Sequence, residues 1–335
     1  MVKRLLLTLL LTALLPAAAQ AQRFEVPDTR GLRWFKGNTH THTTESDGDS
    51  PPEIVARWYR DRGYNFLVLS DHDVWTDPAR LRHLTDTTFI LIPGEELSSR
   101  FNGKAVHVNG LNIPHVLAPQ FDSTLVGTVQ KNVDVVRGVA GVPHINHPNF
   151  QWSISKEVLA RIRNDRLVEI FNGHPLVHNE GGGESPGMEE VWDFLLTGGK
   201  RIYGIAVDDA HHFQGEFAAH RSNPGRGWIA VRGARLDALE IMRNLEAGLF
   251  YASTGVVLDD VVITERRLQI RVRQRGDFKY TTEFIGAGGR VLARVGGAEP
   301  AYELKGGETY VRARVRDSMG FVAWVQPVFT DPARF

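Results

Sequence analysis

The chain reads as an α/β protein organised on a parallel sheet, followed by a small antiparallel β-sandwich, and three observations lead there. Apolar β-type runs alternate with amphipathic helical runs up to about residue 255. All 13 histidines lie between His40 and His220, so the ionisable chemistry is concentrated in that first part. From Val256 onward, short alternating segments separated by glycine-rich turns replace the helical pattern.

The β-type runs of the first part cover residues 64–70, 89–92, 105–112, 142–145, 166–172 and 201–207. Three helices are written clearly between and after them. The first takes Ser50 as N-cap, Pro51 as its first helical residue and Glu53 to complete a capping box, and stops before Gly63. The second starts after Ser185 and ends at Gly198-Gly199; the third spans residues 235–247 with Leu236, Leu239, Met242 and Leu245 on one stripe. Strand, helix, strand repetition predicts a parallel sheet, open or closed into a barrel. In the last part, runs at 261–263, 268–272, 280–285, 291–295 and 310–315 alternate in polarity between turns such as Gly286-Ala287-Gly288-Gly289 and Asp317-Ser318-Met319-Gly320, as a sandwich does.

Residues 1–21 read as a secretory signal peptide: Lys3 and Arg4, then leucine-rich sequence, then Ala19-Gln20-Ala21 before the cleavage point. The apolar run is shorter than the roughly 20 residues of a membrane-spanning helix. The expected product is exported to the periplasm, with no stable membrane insertion. The full chain's 39 basic and 39 acidic residues leave no net charge, and the product without Lys3 and Arg4 is close to neutral, which argues against a nucleic-acid polymer as partner. With no cysteine, neither a disulfide framework nor a thiolate metal site is available.

Ligand-type residues recur at the C-terminal ends of the β-type runs, where parallel α/β folds place their sites. In His40-Thr41-His42, extended backbone points both imidazoles to the same side. Asp47 follows. The apolar run 66–69 ends abruptly in Ser70-Asp71-His72-Asp73, groups that are costly to bury unpaired. Glu95-Glu96, His107, His144-Ile145-Asn146-His147 and Asp208-Asp209-Ala210-His211-His212 repeat the event. A lone His-x-His is more often two unrelated strand histidines than a ligand pair; the conjunction decides. Imidazole and carboxylate without thiolate select Zn²⁺, Mn²⁺ or Fe, with enough ligands for more than one ion.

These motifs, in this order, resemble the PHP superfamily, named for polymerase and histidinol phosphatase domains, over residues 31–255. The carriers are His40-Thr41-His42-Thr43 with Ser46-Asp47-Gly48, Ser70-Asp71-His72-Asp73, Gly94-Glu95-Glu96, His107, Asn146-His147-Pro148 and Asp209-Ala210-His211. The resemblance implies a distorted (β/α)7 barrel holding two or three divalent ions, followed by the sandwich at 256–335. It implies one ion on His40, His42, Glu96 and Asp209, a second on Glu96, His107 and His147, and a third on Asp47, His72 and His211. Asn146 stands where the family usually has alanine, and Ser70 where it has threonine. The Gly37-Asn38-Thr39 lead-in, the Asp208-Asp209 pair and the tail look closest to the carbaryl-hydrolase-like branch.

The chemistry so implied is metal-dependent hydrolysis of a small-molecule ester by a metal-bridging hydroxide, first a phosphomonoester or phosphodiester. A carboxyl or carbamate ester on the same site is the alternative, and a non-catalytic periplasmic metal-binding protein is a different class. Against the last, the ligands are spread over separate strand ends and do not form a His-rich tract. Asp73 and His212 are candidates for proton transfer or for orienting the ligands, Arg221 is a catalytic candidate in contact with substrate, and His144, Asn172 and His174 are candidates for substrate contact. Glu169 is as well explained by a structural role as by a functional one. No protein partner is evident in the sequence.

Overall fold

The computed structural model describes residues 22–330, so the signal-peptide expectation at 1–21 lies outside the described residues. In chain order the elements are β1 (Arg33–Asn38), α1 (Pro52–Asp61), β2 (Phe66–Val68), β3 (Ile90–Ile92), β4 (Gly94–Phe101), β5 (Lys104–Leu111), α2 (Leu125–Gly138), β6 (Val142–Ile145), α3 (Lys156–Leu159), β7 (Leu167–Asn172), α4 (Met188–Thr197), β8 (Tyr203–Val207), β9 (Trp228–Gly233) and α5 (Ala238–Glu246). There follow β10 (Phe250–Ser253), β11 (Leu258–Ile263), β12 (Arg267–Val272), β13 (Tyr280–Gly286), β14 (Arg290–Gly296), β15 (Ala301–Glu303), β16 (Tyr310–Asp317) and β17 (Val322–Phe329). Among the described residues no helix is long and apolar enough to cross a membrane.

The strands form a five-stranded sheet in the order β4-β5-β6-β7-β8, a nine-stranded sheet β14-β13-β16-β17-β10-β9-β1-β2-β3, and a three-stranded sheet β11-β12-β15. The expected parallel arrangement holds for β1-β2-β3 and for β6-β7-β8, while β4-β5-β6 and β1-β9-β10 are antiparallel. The mixed α/β class stands. A closed barrel is not detected: the ladders of this part run in two sheets, linked by single bridges between Thr41 and Ala210 and between His72 and Glu96. The physical reason is local. Those two seams carry ligand-bearing segments, and the backbone there is irregular, with positive φ at Asp73 (53°) and Asp209 (48°).

The C-terminal strands also differ from a free-standing sandwich. β13, β14, β16 and β17 extend the sheet that carries β1, through the antiparallel pairing of β17 with β10. The three-stranded sheet shares their apolar core: Leu258, Leu268, Ile270 and Tyr302 belong to the same buried cluster as Phe284, Val311 and Val315, and that cluster continues into Val55 and Tyr59 of α1. A second core joins the five-stranded sheet and α2 and α4 to β1, β9 and α5, with Val129, Val133, Trp192, Leu195 and Ile241 in one buried cluster with Val106, Ile145, Ile205, Phe35 and Ile229. Trp192 is fully buried, and its indole N–H donates to the Ile202 carbonyl at 3.0 Å.

The helix ends depart slightly from the pattern reading. α1 begins at Pro52, and Ser50 turns its hydroxyl to Asp49 (2.9 Å) without capping the helix. α4 is capped by Gly187, whose N–H donates to Glu190 at 3.2 Å. Asp237 caps α5 by accepting from the Glu240 N–H.

Candidate metal centre

The chain leaves β1 through Asn38, whose Oδ1 accepts from the His40 N–H (3.0 Å) and whose amide donates to the Gly227 carbonyl (2.9 Å). That turn, with Thr41 bonded to Ser70, sets His40 and His42 on the inner side. Asp71, after β2, accepts from the Thr43 N–H (2.7 Å), the Thr43 hydroxyl (2.9 Å) and the Ser46 hydroxyl (2.7 Å), so it fixes the loop that carries Asp47. Of the ionisable groups following β2, only His72 faces the site. On β4, alternation sends Glu96 inward and Glu95 outward. Glu95 accepts from the Leu117 N–H at 2.6 Å, and burial pushes its carboxyl up to about 7.

Glu96 is the centre of the cluster. Its Oε2 lies 3.3 Å from His40 Nε2, 3.3 Å from His42 Nε2 and 3.1 Å from His72 Nδ1, and its Oε1 lies 2.9 Å from His107 Nδ1 and 3.2 Å from His147 Nε2. Asp209 Oδ1 lies 3.3 Å from His40 Nε2 and 3.2 Å from His42 Nε2. Asp47, half exposed, is 3.5 Å from His42 Nδ1, 3.6 Å from His72 Nε2 and 3.3 Å from His211 Nε2. Four overlapping groups result: His42, Asp47, His72 and His211; His40, His42 and Asp209; His40, Glu96 and His147; His72, Glu96 and His107. Together they contain all nine ligand-type residues singled out in the sequence, although His147 groups with His40 and His107 with His72.

Do these residues fit ions? His40 Nε2, His42 Nε2 and Glu96 Oε2 are buried without a hydrogen-bond partner, an expensive arrangement for protein alone. Glu96 Oε2 stands 3.3 Å from each of the two imidazole nitrogens, about the spacing of donors around one four-coordinate ion with bonds of roughly 2.0–2.1 Å. The donors are imidazole nitrogen and carboxylate oxygen, as suits zinc, manganese or iron. The fit is good.

The ligands are held by partners of their own. Glu169 on β7 is fully buried; its Oε1 is 2.6 Å from His40 Nδ1 and 3.3 Å from His144 Nε2, and its Oε2 accepts from the His147 N–H (2.7 Å) and the Asn172 amide (2.8 Å). With Nδ1–H of His40 given to Glu169, the Nε2 lone pair faces Glu96 and Asp209. His72 Nδ1 is 2.7 Å from the Ser98 hydroxyl, and His211 Nδ1 is 2.9 Å from the Asp209 carbonyl. Asn146, standing in place of alanine, donates to Glu96 Oε1 (2.8 Å) and to Asn109 Oδ1 (2.7 Å). Burial opposes ionisation of Glu96 and Asp209, but the surrounding histidines win and hold both carboxyls well below the usual range.

The other candidates fall in three places. His144 and Asn172 are buried beneath the ligands, His144 against Glu169 and Asn172 bridging Glu169 to Asp209 (3.0 Å). His174 lines the pocket of about 130 Å³ at the ligands, together with Phe150, which pattern reading passed over. Burial draws the His174 imidazole down to about 4. Asp73, His212 and Arg221 do not line that pocket. Asp73 accepts from the Ser98 N–H (2.8 Å), the His212 ring accepts from the Ser222 N–H (3.2 Å), and Arg221 reaches Asp49 (3.4 Å) and the Gln214 carbonyl (3.1 Å). Asp208, beside a ligand, faces away and accepts from Tyr59 (2.7 Å) and the Gly225, Arg226 and Gly227 N–H groups.

No family model matches the chain. Among curated proteins it is 27% identical over 198 residues to "5'-3' exoribonuclease Rnm" of Salmonella typhimurium, covering 56% of this chain and 64% of that protein. It is 40% identical over 80 residues to "5'-3' exoribonuclease" of Haemophilus influenzae, covering 23% of this chain and 28% of that one. The chain therefore spans less than two thirds of the length of these relatives. In fold it is similar to a two-domain protein of Bacteroides vulgatus described as containing a PHP-like metal-dependent phosphoesterase, at a TM-score of 0.53 and 16% identity, over 92% of this chain and 100% of that one. That likeness is one of fold. The expectation that nucleic acid is no partner finds no support here, since the relatives are named exoribonucleases. A whole-chain net charge averages over the surface and does not report one site.

Proposed function

We propose that this protein is a metal-dependent phosphoesterase acting on phosphodiester bonds. The observation that carries the reading is that His40 Nε2 and His42 Nε2, buried and unpartnered, each stand within 3.3 Å of both Glu96 Oε2 and Asp209 Oδ1, on residues next to β1, on β4 and next to β8. The names of the relatives and the PHP-like fold point to phosphorus as the centre attacked. On motif residues alone we place the chain nearest the carbaryl-hydrolase-like branch, and on residues 1–21 alone we infer export to the periplasm.

Divalent ions bound there would supply Lewis acidity toward the phosphoryl oxygens and an acidified water. The chain's own residues do the rest. Glu169 keeps His40 in one tautomer and, through the His147 N–H and the Asn172 amide, holds two ligand segments in register. Asn146 occupies one Glu96 oxygen and stops that carboxylate from rotating. Phe150 packs edge-on to His147 (5.3 Å) and to His174 (6.2 Å), narrowing the approach to the ligands. The number of nitrogen and oxygen ligands suits two or three ions, of zinc, manganese or iron.

The test compares substrates on protein loaded separately with Mn²⁺, Zn²⁺ and Fe²⁺. Bis-p-nitrophenyl phosphate is expected to give the highest kcat/KM, ahead of p-nitrophenyl phosphate and of naphthyl acetate and naphthyl methylcarbamate. Faster cleavage of either naphthyl ester would overturn the phosphoesterase reading in favour of carboxyl-ester or carbamate chemistry.

A further inference from the structure

The pocket at the ligands, about 130 Å³, is suited to a phosphate group and little more. One of its walls, His174, is also a wall of a second cleft of about 530 Å³, lined by Pro175, Leu176, His212, Ala219 and His220. The two spaces therefore adjoin at His174, next to the ligands that would hold a phosphate. Resting on the phosphoesterase reading, we propose that this cleft is the subsite for the nucleoside attached to the scissile phosphate, with its base stacked on the imidazole, proline and leucine faces.

The lining fits such an occupant. Leu176 is 60% exposed and Pro175 and Ala219 are open as well, an apolar surface on the rim of an otherwise polar site. The histidine rings add flat faces of the kind on which unstacked bases rest. None of the lining residues is a carboxylate, so nothing there repels a phosphoester. The wall is also tied to the metal ligands: Ser222 donates its N–H to the His212 ring and its hydroxyl to the Asp209 carbonyl, and Asn223 donates to the His212 carbonyl at 2.8 Å. A wall fixed in that way keeps its shape before a substrate arrives.

The surroundings also limit the occupant to one nucleoside. A groove that tracks a polynucleotide backbone needs free cations along it. Here the nearby arginines have protein partners: Arg221 reaches Asp49 (3.4 Å) and the Gln214 carbonyl (3.1 Å), and Arg226 the carbonyls of Gly173 (2.8 Å) and Ala218 (2.7 Å). Recognition then comes from the base and not from a run of phosphates.

The experiment uses the full metal-loaded chain and two substitutions at exposed wall positions, Leu176→Ala, which removes a stacking face, and Ala219→Trp, which fills the cleft. Two quantities are read: the ratio of kcat/KM for thymidine 5'-(p-nitrophenyl phosphate) over methyl p-nitrophenyl phosphate, and the Kd of thymidine 5'-monophosphate against that of inorganic phosphate by calorimetry. The expected result is a wild-type preference for the nucleoside compounds that falls about tenfold in each variant, in the ratio and in the nucleotide Kd alike. An unchanged ratio and an unchanged nucleotide Kd, or equal losses for both compounds of each pair, would overturn the subsite. If neither ester is turned over, the phosphoesterase reading fails, and the binding arm still decides: nucleotide affinity sensitive to both variants upholds the subsite, and nucleotide bound no more tightly than phosphate refutes it.

Discussion

Glu96→Gln is expected to lower kcat/KM for every ester by more than about a hundredfold, beyond what loss of an outer partner of a ligand costs. The side chain keeps its shape, so packing around β4 is preserved and the effect isolates charge. Glu96 stands within 3.3 Å of five histidines, His40, His42, His72, His107 and His147. Glutamine would present an N–H₂ toward part of that ring and cancel one of the two buried negative charges, Glu96 and Asp209, that offset the charge of bound ions. Metal content by mass spectrometry should fall in the same preparation. Retention of full rate and full metal in the variant would remove Glu96 from the centre of the site.

Arg312→Met is expected to destabilise the whole chain by about 3–5 kcal/mol in urea unfolding, the cost of breaking a buried ion pair from one side. Arg312 on β16 is 1% exposed and grips Asp193 on α4 through Nε (2.7 Å) and Nη2 (2.6 Å), with Nη1 on Glu189 at 3.0 Å. Methionine fills much of the volume, but the nearly buried Asp193 carboxylate keeps only the Tyr310 hydroxyl at 3.2 Å among its side-chain partners here. The pair joins the C-terminal strands to a helix of the metal-bearing part, so a single unfolding transition should shift as a unit. A loss below about 1 kcal/mol, as for an exposed pair, would contradict this account of how the two parts are held.

The site was far more legible than the sheet order. Several ligands, His72, His147 and Asp209 among them, follow the end of an apolar strand, and a strand ending in charge is visible as a break in the pattern; the i, i+2 spacing of His40 and His42 fixes their common side without knowledge of the fold. What the pattern cannot distinguish is which of two adjacent carboxylates faces the ions. Asp208 and Asp209 look equivalent in sequence, yet Asp208 is used by Tyr59 and three backbone N–H groups. Glu169 read as neutral between roles because its partners, His40 and the His147 N–H, lie far away in sequence. The closed barrel was expected from the resemblance, while ladder closure depends on hydrogen bonds at the irregular, ligand-bearing turns. β17 was missed because it is buried throughout and shows no alternation, and its pairing with β10 across some 70 residues is written in no local pattern. α2 carried an available signal, Thr124 as a cap accepting from the Gly127 N–H.

The central claim is that bound ions at this cluster do the chemistry, and a metal titration of the wild-type chain tests it most directly. Protein stripped with chelator is titrated with Mn²⁺, Zn²⁺ or Fe²⁺ while bound metal and hydrolysis of bis-p-nitrophenyl phosphate are followed together. The account predicts no turnover without metal and a rate that rises with occupancy to a plateau at more than one ion per chain. Full turnover by metal-free protein, or a metal-saturated protein inert toward every phosphodiester tried, would contradict it.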